Sequence, residues 1–244
     1  MFKKINWLLI PACLIIFTLM WQISSTKNSK TPKIGIVQLV EHDALDASRN
    51  GFVEGLRELG FKGTIDYKNA SDDLSTAVLI LNQFISEKYD LILAISTPVA
   101  QTAASLTSEI PILVTPITNP QQAGLVKSNS NPQTNVTGTS DLPPVHKQMS
   151  LIKELFPNTK TIGILFSSKE ANSEYQAIIA NEQAQKENLN TKLITFSQTS
   201  ELEQVVESIL DKVDVIYTPT DNLVASNIEL ISKTAQRKNI PLVC

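Results

Sequence analysis

The 244-residue chain is short of the residues on which most chemistry and most covalent staples depend. Its two cysteines, Cys13 and Cys244, stand at opposite ends, which leaves no disulfide framework and no metal-ligand spacing. Its two histidines, His42 and His146, lie in no recognisable nucleophile motif, and neither a Gly-x-Ser-x-Gly elbow nor a Gly-rich phosphate loop occurs. Catalysis therefore has no support, and neither a cofactor nor a metal is expected. A basic excess is also lacking: 21 basic side chains face 24 acidic ones, a net charge of −3, so no positive stripe exists to neutralise phosphates and nucleic acid is not expected as a partner. With 42% apolar residues, 8 Gly and 12 Pro, the chain is neither disordered nor collagen-like.

The charge that is present is unevenly spread. Residues 1–30 hold Lys3, Lys4, Lys27 and Lys30 and no acid, leaving 17 basic against 24 acidic groups, or −7, in the remainder. Within that leader, Ile5 to Ile23 carries no charge and as a helix spans roughly 28 Å, the reach of a secretory signal or a membrane anchor. The polar residues after it lack an Ala-x-Ala cleavage pattern, which leans toward an anchor. Either reading exports residues 31–244, to the periplasm or the outer face of the cytoplasmic membrane. Cys13 follows Pro11 and Ala12, but apolar residues continue after it, so it reads as lipid-facing filler rather than a lipidation site.

From Lys33 onward short apolar runs alternate with amphipathic stretches, the pattern of parallel sheets covered by helices. Strands are expected at Ile34–Leu39, Thr64–Tyr67, Leu91–Ile95 and Ile112–Val114, then at Thr161–Phe166, Lys192–Phe196, Val213–Tyr217 and Pro241–Val243. Helical periodicity runs through Leu45–Leu59, Leu74–Ile85, Leu202–Ile209 and Val224–Ala235, with starts marked by Ser71 before Asp72, Thr97 before Pro98, and Ser200 with Glu203. The stretch Pro120–Pro144, with one further strand at Asn135–Thr139, divides the two series. The fold class is thus α/β, two open Rossmann-like lobes in series (31–138 and 139–244) joined by a hinge and preceded by an N-terminal hydrophobic helix. Ligands of open α/β sheets sit beyond the carboxyl ends of the strands, which directs attention to the strand-to-helix loops.

After the first strand, Glu41 and His42 are placed to line a cleft, the imidazole stacking on or donating to a ligand; alternatively Asp43 caps the helix and both neighbours are solvated. Ser96 and Thr97 stand where free amides and the helix dipole attract a carboxylate. Thr118 reaches the same site from the turn after the fourth strand. Asp141 either caps a helix beginning at Leu142 or accepts from an ammonium group. In the second lobe Asn172 and Ser173 mark a helix start, and Thr220 and Asp221 close the next loop, where Asp221 is a cap or the anionic partner of an ammonium. Hydroxyls and helix ends on one lobe with Asp or Asn on the other suit a zwitterion, and an amino acid fits. His146 reads as a surface residue. Phe166, Tyr175 and Tyr217 are candidates for packing on a ligand, with Phe166 and Tyr217 better read as core.

These loops resemble the exported substrate-binding proteins of ABC transporters, in particular the family with tryptophan- and phenylalanine-binding components. The resemblance is carried by Gly35-Ile36-Val37-Gln38, Glu41-His42-x-Ala44-Leu45-Asp46, Ser96-Thr97-Pro98-x-Ala100-Gln101, Asn135-Val136-Thr137-Gly138-x-Ser140-Asp141, Glu170-Ala171-Asn172-Ser173 and Pro219-Thr220-Asp221-Asn222. It implies a periplasmic-binding-protein fold of type I-like form that closes over a small solute, here an amino acid with an aromatic one favoured, and delivers it to a membrane permease. Two departures stand out: Asp43 replaces the Pro expected between His and Ala, and the family usually continues several dozen residues past the position of Cys244, so a C-terminally truncated second lobe is expected. Two rival readings remain from other classes: a membrane-anchored ligand-sensing domain, and a sugar- or nucleoside-processing enzyme.

Overall fold

In the computed structural model, which describes residues 31–244, two all-parallel sheets follow one another along the chain. The leader assigned to residues 1–30 lies outside the described residues, and no helix among those described is long and apolar enough to cross a membrane. The first sheet is built from β1 (Lys33–Gln38), β2 (Thr64–Asn69), β3 (Leu91–Ile95), β4 (Ile112–Ile117) and β5 (Val136–Ser140), in the order β2-β1-β3-β4-β5. Helices α1 (Asp43–Glu58), α2 (Leu74–Ser86) and α3 (Thr97–Leu106) connect its strands. The second sheet, ordered β7-β6-β8-β9, contains β6 (Thr161–Ser167), β7 (Asn190–Phe196), β8 (Val215–Tyr217) and β9 (Leu242–Val243). Around it lie α4 (Val145–Leu155), α5 (Ala171–Lys186), α6 (Thr199–Glu207), α7 (Asn222–Ser226) and α8 (Ile228–Gln236).

The central strands are apolar nearly throughout because helices cover both of their faces. In β1, Ile34 and Ile36 pack with Leu45 of α1, whereas Val37 turns to the opposite face and joins Leu81, Phe84 and Val99 of α2 and α3. The second sheet repeats the arrangement: Ile162, Ile164 and Phe166 of β6 meet Met149 and Ile152 of α4 and the small Ala177, Ala180 and Ala184 of α5, while Leu165 faces α6 and α8. Each such fully buried Leu, Ile or Phe contributes about 1.5–3 kcal/mol. Of the four edge strands, β2, β5 and β7 are more exposed and carry polar residues such as Lys68, Thr137 and Lys192, while β9 is the apolar pair Leu242–Val243. In each sheet the first strand lies between the next two, β1 between β2 and β3 and β6 between β7 and β8. The crossovers therefore diverge there and leave a crevice at the carboxyl ends.

All nine expected strands are present, yet several helix starts differ from their sequence signals. Asp73, not Ser71, begins α2: its carboxylate accepts from the amides of Ser75 and Thr76, and Ser71 and Asp72 adopt left-handed φ values of 55° and 60° in the preceding turn. Ser200 and Glu203 form no capping box, because α6 already starts at Thr199 and Glu201 instead holds the Ser197 amide at 3.0 Å. The helix expected from Leu142 begins at Val145, as Pro143 and Pro144 hold the chain extended, so Asp141 is not its cap. His42, rather than Asp43, is the residue before α1, with Asp43 inside the first turn. The single helix expected over Val224–Ala235 is two, broken at Asn227, whose carboxamide donates to the Leu223 carbonyl at 2.8 Å.

β5 leaves the first sheet only after Ser140, which pairs with Ile117. Gly138 within it approaches β4 so closely that a Cβ there would collide with the Val114 carbonyl. Gly138→Ala is expected to destabilise the protein by about 2 kcal/mol, lowering Tm by about 4–8 °C in a calorimetric scan. Gly51→Ala, on a helix position with open space around it, is expected to stabilise by up to about 1 kcal/mol.

Candidate functional site

The carboxyl ends of the two sheets face a shared cavity of about 890 Å³. From the first sheet it is lined by Glu41 and His42 after β1, Thr97 at the start of α3, Pro116 and Thr118 at the end of β4, and Asp141 after β5. Opposite them stand Asn172 in the first turn of α5 and the run Thr218, Pro219, Thr220, Asp221 and Asn222 after β8. Eight of the sequence candidates, Glu41, His42, Thr97, Thr118, Asp141, Asn172, Thr220 and Asp221, thus converge on one space.

Ser96 and Ser173 do not line it. The Ser173 hydroxyl donates to the Glu170 carbonyl at 2.9 Å and serves the start of α5. Ser96 is buried behind Thr97 with φ of 95°, a region that a residue with a Cβ rarely adopts, and its hydroxyl has no hydrogen-bond partner. The aromatic candidates also lie elsewhere. Phe166 and Tyr217 belong to the core of the second sheet, the Tyr217 hydroxyl donating to Gln148 at 2.9 Å, and Tyr175 accepts at 3.4 Å from Asn119. The exposed His146 lies on α4.

The first-sheet wall is braced from behind. The Tyr67 hydroxyl donates to Glu41 at 3.3 Å, and the Arg49 guanidinium lies over the Tyr67 ring at 4.3 Å. Arg49 also bonds Asp46 at 3.0 Å and the buried Gln38 at 3.1 Å, so the end of β1 and the start of α1 form one network. Burial raises the Asp141 carboxyl above its ordinary value; its own backbone amide and the Thr118 hydroxyl offset part of that rise.

On the second-sheet wall the two oxygens of Asp221 are engaged, one by the Val224 amide at 2.9 Å, which caps α7, the other by the Ser167 amide at 2.7 Å. Sequence reasoning missed its neighbour Glu170. This buried carboxylate accepts from the amides of Asn222 and Leu223 at 2.9 and 3.2 Å, and from the side-chain nitrogens of Asn172 and Asn222 at 3.2 and 2.6 Å. Burial first, and then the Asp221 charge, push Glu170 up to about 8 against the pull of these donors, and burial raises Asp221 as well. Gln176 was also missed; its amide group contacts Thr118 at 3.3 Å and the Thr220 backbone, bridging the two walls. His42 bridges them too, 3.3 Å from Asn222.

Residues 33–244 match the sequence pattern of the family described as ABC transporter substrate binding protein. The chain is 42% identical over 222 residues to the tyrosine-binding protein of Clostridioides difficile, covering 89% of this chain and 64% of that protein, so it spans somewhat under two thirds of that relative's length. Among solved structures, a Streptococcus pneumoniae ABC domain in complex with L-Trp is 38% identical with a TM-score of 0.84, over 87% of this chain and 73% of the other. The ligand-free, open structure of a substrate binding protein with adhesive properties from Clostridium difficile is 45% identical, over 87% and 74%, with a TM-score of only 0.61.

The buried Glu170 carboxyl binds its proton more tightly in the folded protein than in the unfolded chain, so folding stability is expected to fall as pH rises from the ordinary carboxylate range, near 4.5, through about 8. Melting of the ligand-free protein at pH 5, 6.5 and 8 measures that slope, which Glu170→Gln is expected to flatten.

Proposed function

Since the chain belongs to the ABC transporter substrate binding protein family, we infer that it captures an amino acid between its two sheet-based lobes and presents it, unaltered, to a membrane permease. The observation that carries this reading is the shared cavity itself, with the Thr97 hydroxyl and the start of α3 on one wall and the Asn172 carboxamide oxygen, without a partner, on the other. A carboxylate suits the first wall, where helix amides are unsatisfied; an ammonium suits the second, where acceptors and buried acids gather. Thr118 and Asp141 flank the cavity, and Pro116 offers apolar surface for a side chain. The tyrosine-binding relative and the tryptophan complex support an aromatic one.

The lobes close as a hinge in this reading. Their bridging hydrogen bonds, His42 to Asn222, Gln176 to Thr118 and Asn119 to Tyr175, are 3.3–3.4 Å long and hence weak, as suits a contact that must reopen. The greater likeness in shape to the tryptophan complex than to the open, ligand-free relative supports a closed arrangement here. Export by the leader, with residues 5–23 as signal or anchor, completes the proposal.

Calorimetric titration of L-tryptophan, L-tyrosine and L-phenylalanine against the other amino acids is the test; no binding by a folded sample would sink the reading. Thr97→Val is expected to weaken binding by about 1–3 kcal/mol, or roughly 5- to 150-fold in Kd, with little change in Tm, whereas Asn172→Ala is expected to lower Tm as well, because its nitrogen serves the buried Glu170 carboxylate and the Thr220 carbonyl.

A further inference from the structure

Behind the second-sheet wall, Glu170 and Asp221 are each only 3% exposed, and no ion pair among the described residues includes either. Both grip the first turn of α7, Glu170 through the Asn222 and Leu223 amides and Asp221 through that of Val224. Two uncompensated negative charges in so dry a place are strongly unfavourable, so the pair needs a proton or a cation. Lys169, the next residue along, is exposed and lies toward Asp72 and Glu201; His42 approaches only through Asn222; Asp141 and Glu41 stand on the opposite wall. Lys233 of α8 lines the cavity but is paired with Glu229 at 3.3 Å; Asp221 lines it too, so a cation entering the cavity stands beside the pair.

The hydrogen bonds identify where the proton sits. Both Asp221 oxygens and Glu170 Oε1 face backbone amides, which cannot be reversed. Glu170 Oε2 faces only the carboxamides of Asn172 and Asn222; the Asn172 nitrogen is also held by the Thr220 carbonyl at 3.0 Å, so Asn222 is the one that can turn over. A protonated Oε2 donates to the Asn222 carboxamide oxygen and leaves the Asn222 nitrogen toward the cavity. An ionised Oε2 accepts from both nitrogens, as in the structure, and leaves Asn222 Oδ1 at the cavity, 3.3 Å from His42.

We propose that an ammonium-bearing solute entering the cleft expels a proton from the Glu170–Asp221 pair, and that ionised Glu170, as a positioning residue, then holds the Asn222 carboxamide oxygen toward the ammonium. The proton leaves Oε2 for solvent and the solute's charge replaces it; no other bond changes. The inference rests on the amino-acid reading of the cleft and adds its regulation by pH. Burial raises both carboxyls, so a proton balances the pair when no cation stands beside it.

Calorimetry in two buffers of different ionisation enthalpy counts the protons. L-tryptophan at pH 7 is expected to release close to one proton and to bind up to about tenfold tighter at pH 7 than at pH 6. Its deaminated analogue 3-(indol-3-yl)propionate releases none, and Glu170→Gln binds L-tryptophan with neither release nor pH slope. Tryptophan binding without proton release overturns the proposal, as does release that survives Glu170→Gln, that disappears in His42→Gln, or that the analogue matches. Should Glu170→Gln fail to fold, the wild-type stoichiometry and its persistence in His42→Gln decide. Absence of binding by every amino acid would instead overturn the reading of the cleft, and this inference with it.

Discussion

A parallel strand covered by helices on both faces has no place along its length for a polar side chain, and this constraint organises the molecule. β1, β3 and β6 spend nearly every position on the core, so hydroxyls, carboxamides and carboxylates collect where the strands stop. Gln38, at the last position of β1, marks the transition: it is fully buried, and its amide is satisfied by the Val40 carbonyl, Asp46 and Arg49. Because two such sheets present their carboxyl ends to one another, the loops of both become walls of the same cavity.

The two walls are not equivalent. The first is braced by a network in which Arg49 is both paired with Asp46 and stacked on Tyr67. The second holds two buried acids whose partners are amides alone.

How far the sequence anticipates this depends on the kind of signal. Ile34–Gln38 and Leu91–Ile95 are legible because burial on both faces makes them uninterrupted apolar runs, and the same holds for Thr161–Phe166. Helix starts are less legible where several capping residues crowd together: Ser71, Asp72 and Asp73 all qualify, and only the backbone path decides for Asp73. Asn227 is ambiguous in the same way, since a carboxamide within a helical pattern breaks it only if its own carbonyl partner comes within reach. For the site, Thr97, Thr118 and Asn172 are placed by strand ends and so are readable. Glu170 is not, because an acid beside Lys169 in a loop reads as solvated until the fold buries it under the start of α7.

The edges of the sheets bear on a different property. Open parallel sheets end in strands with unused backbone donors and acceptors, which are templates for pairing with another chain. β2 and β7 place Lys68 and Lys192 there, and β5 offers the short polar run Thr137-Gly138-Thr139-Ser140 in place of branched apolar residues. Adding a foreign strand to any of these three would desolvate charge or hydroxyl without burying oil, so each disfavours edge-to-edge pairing with a second chain.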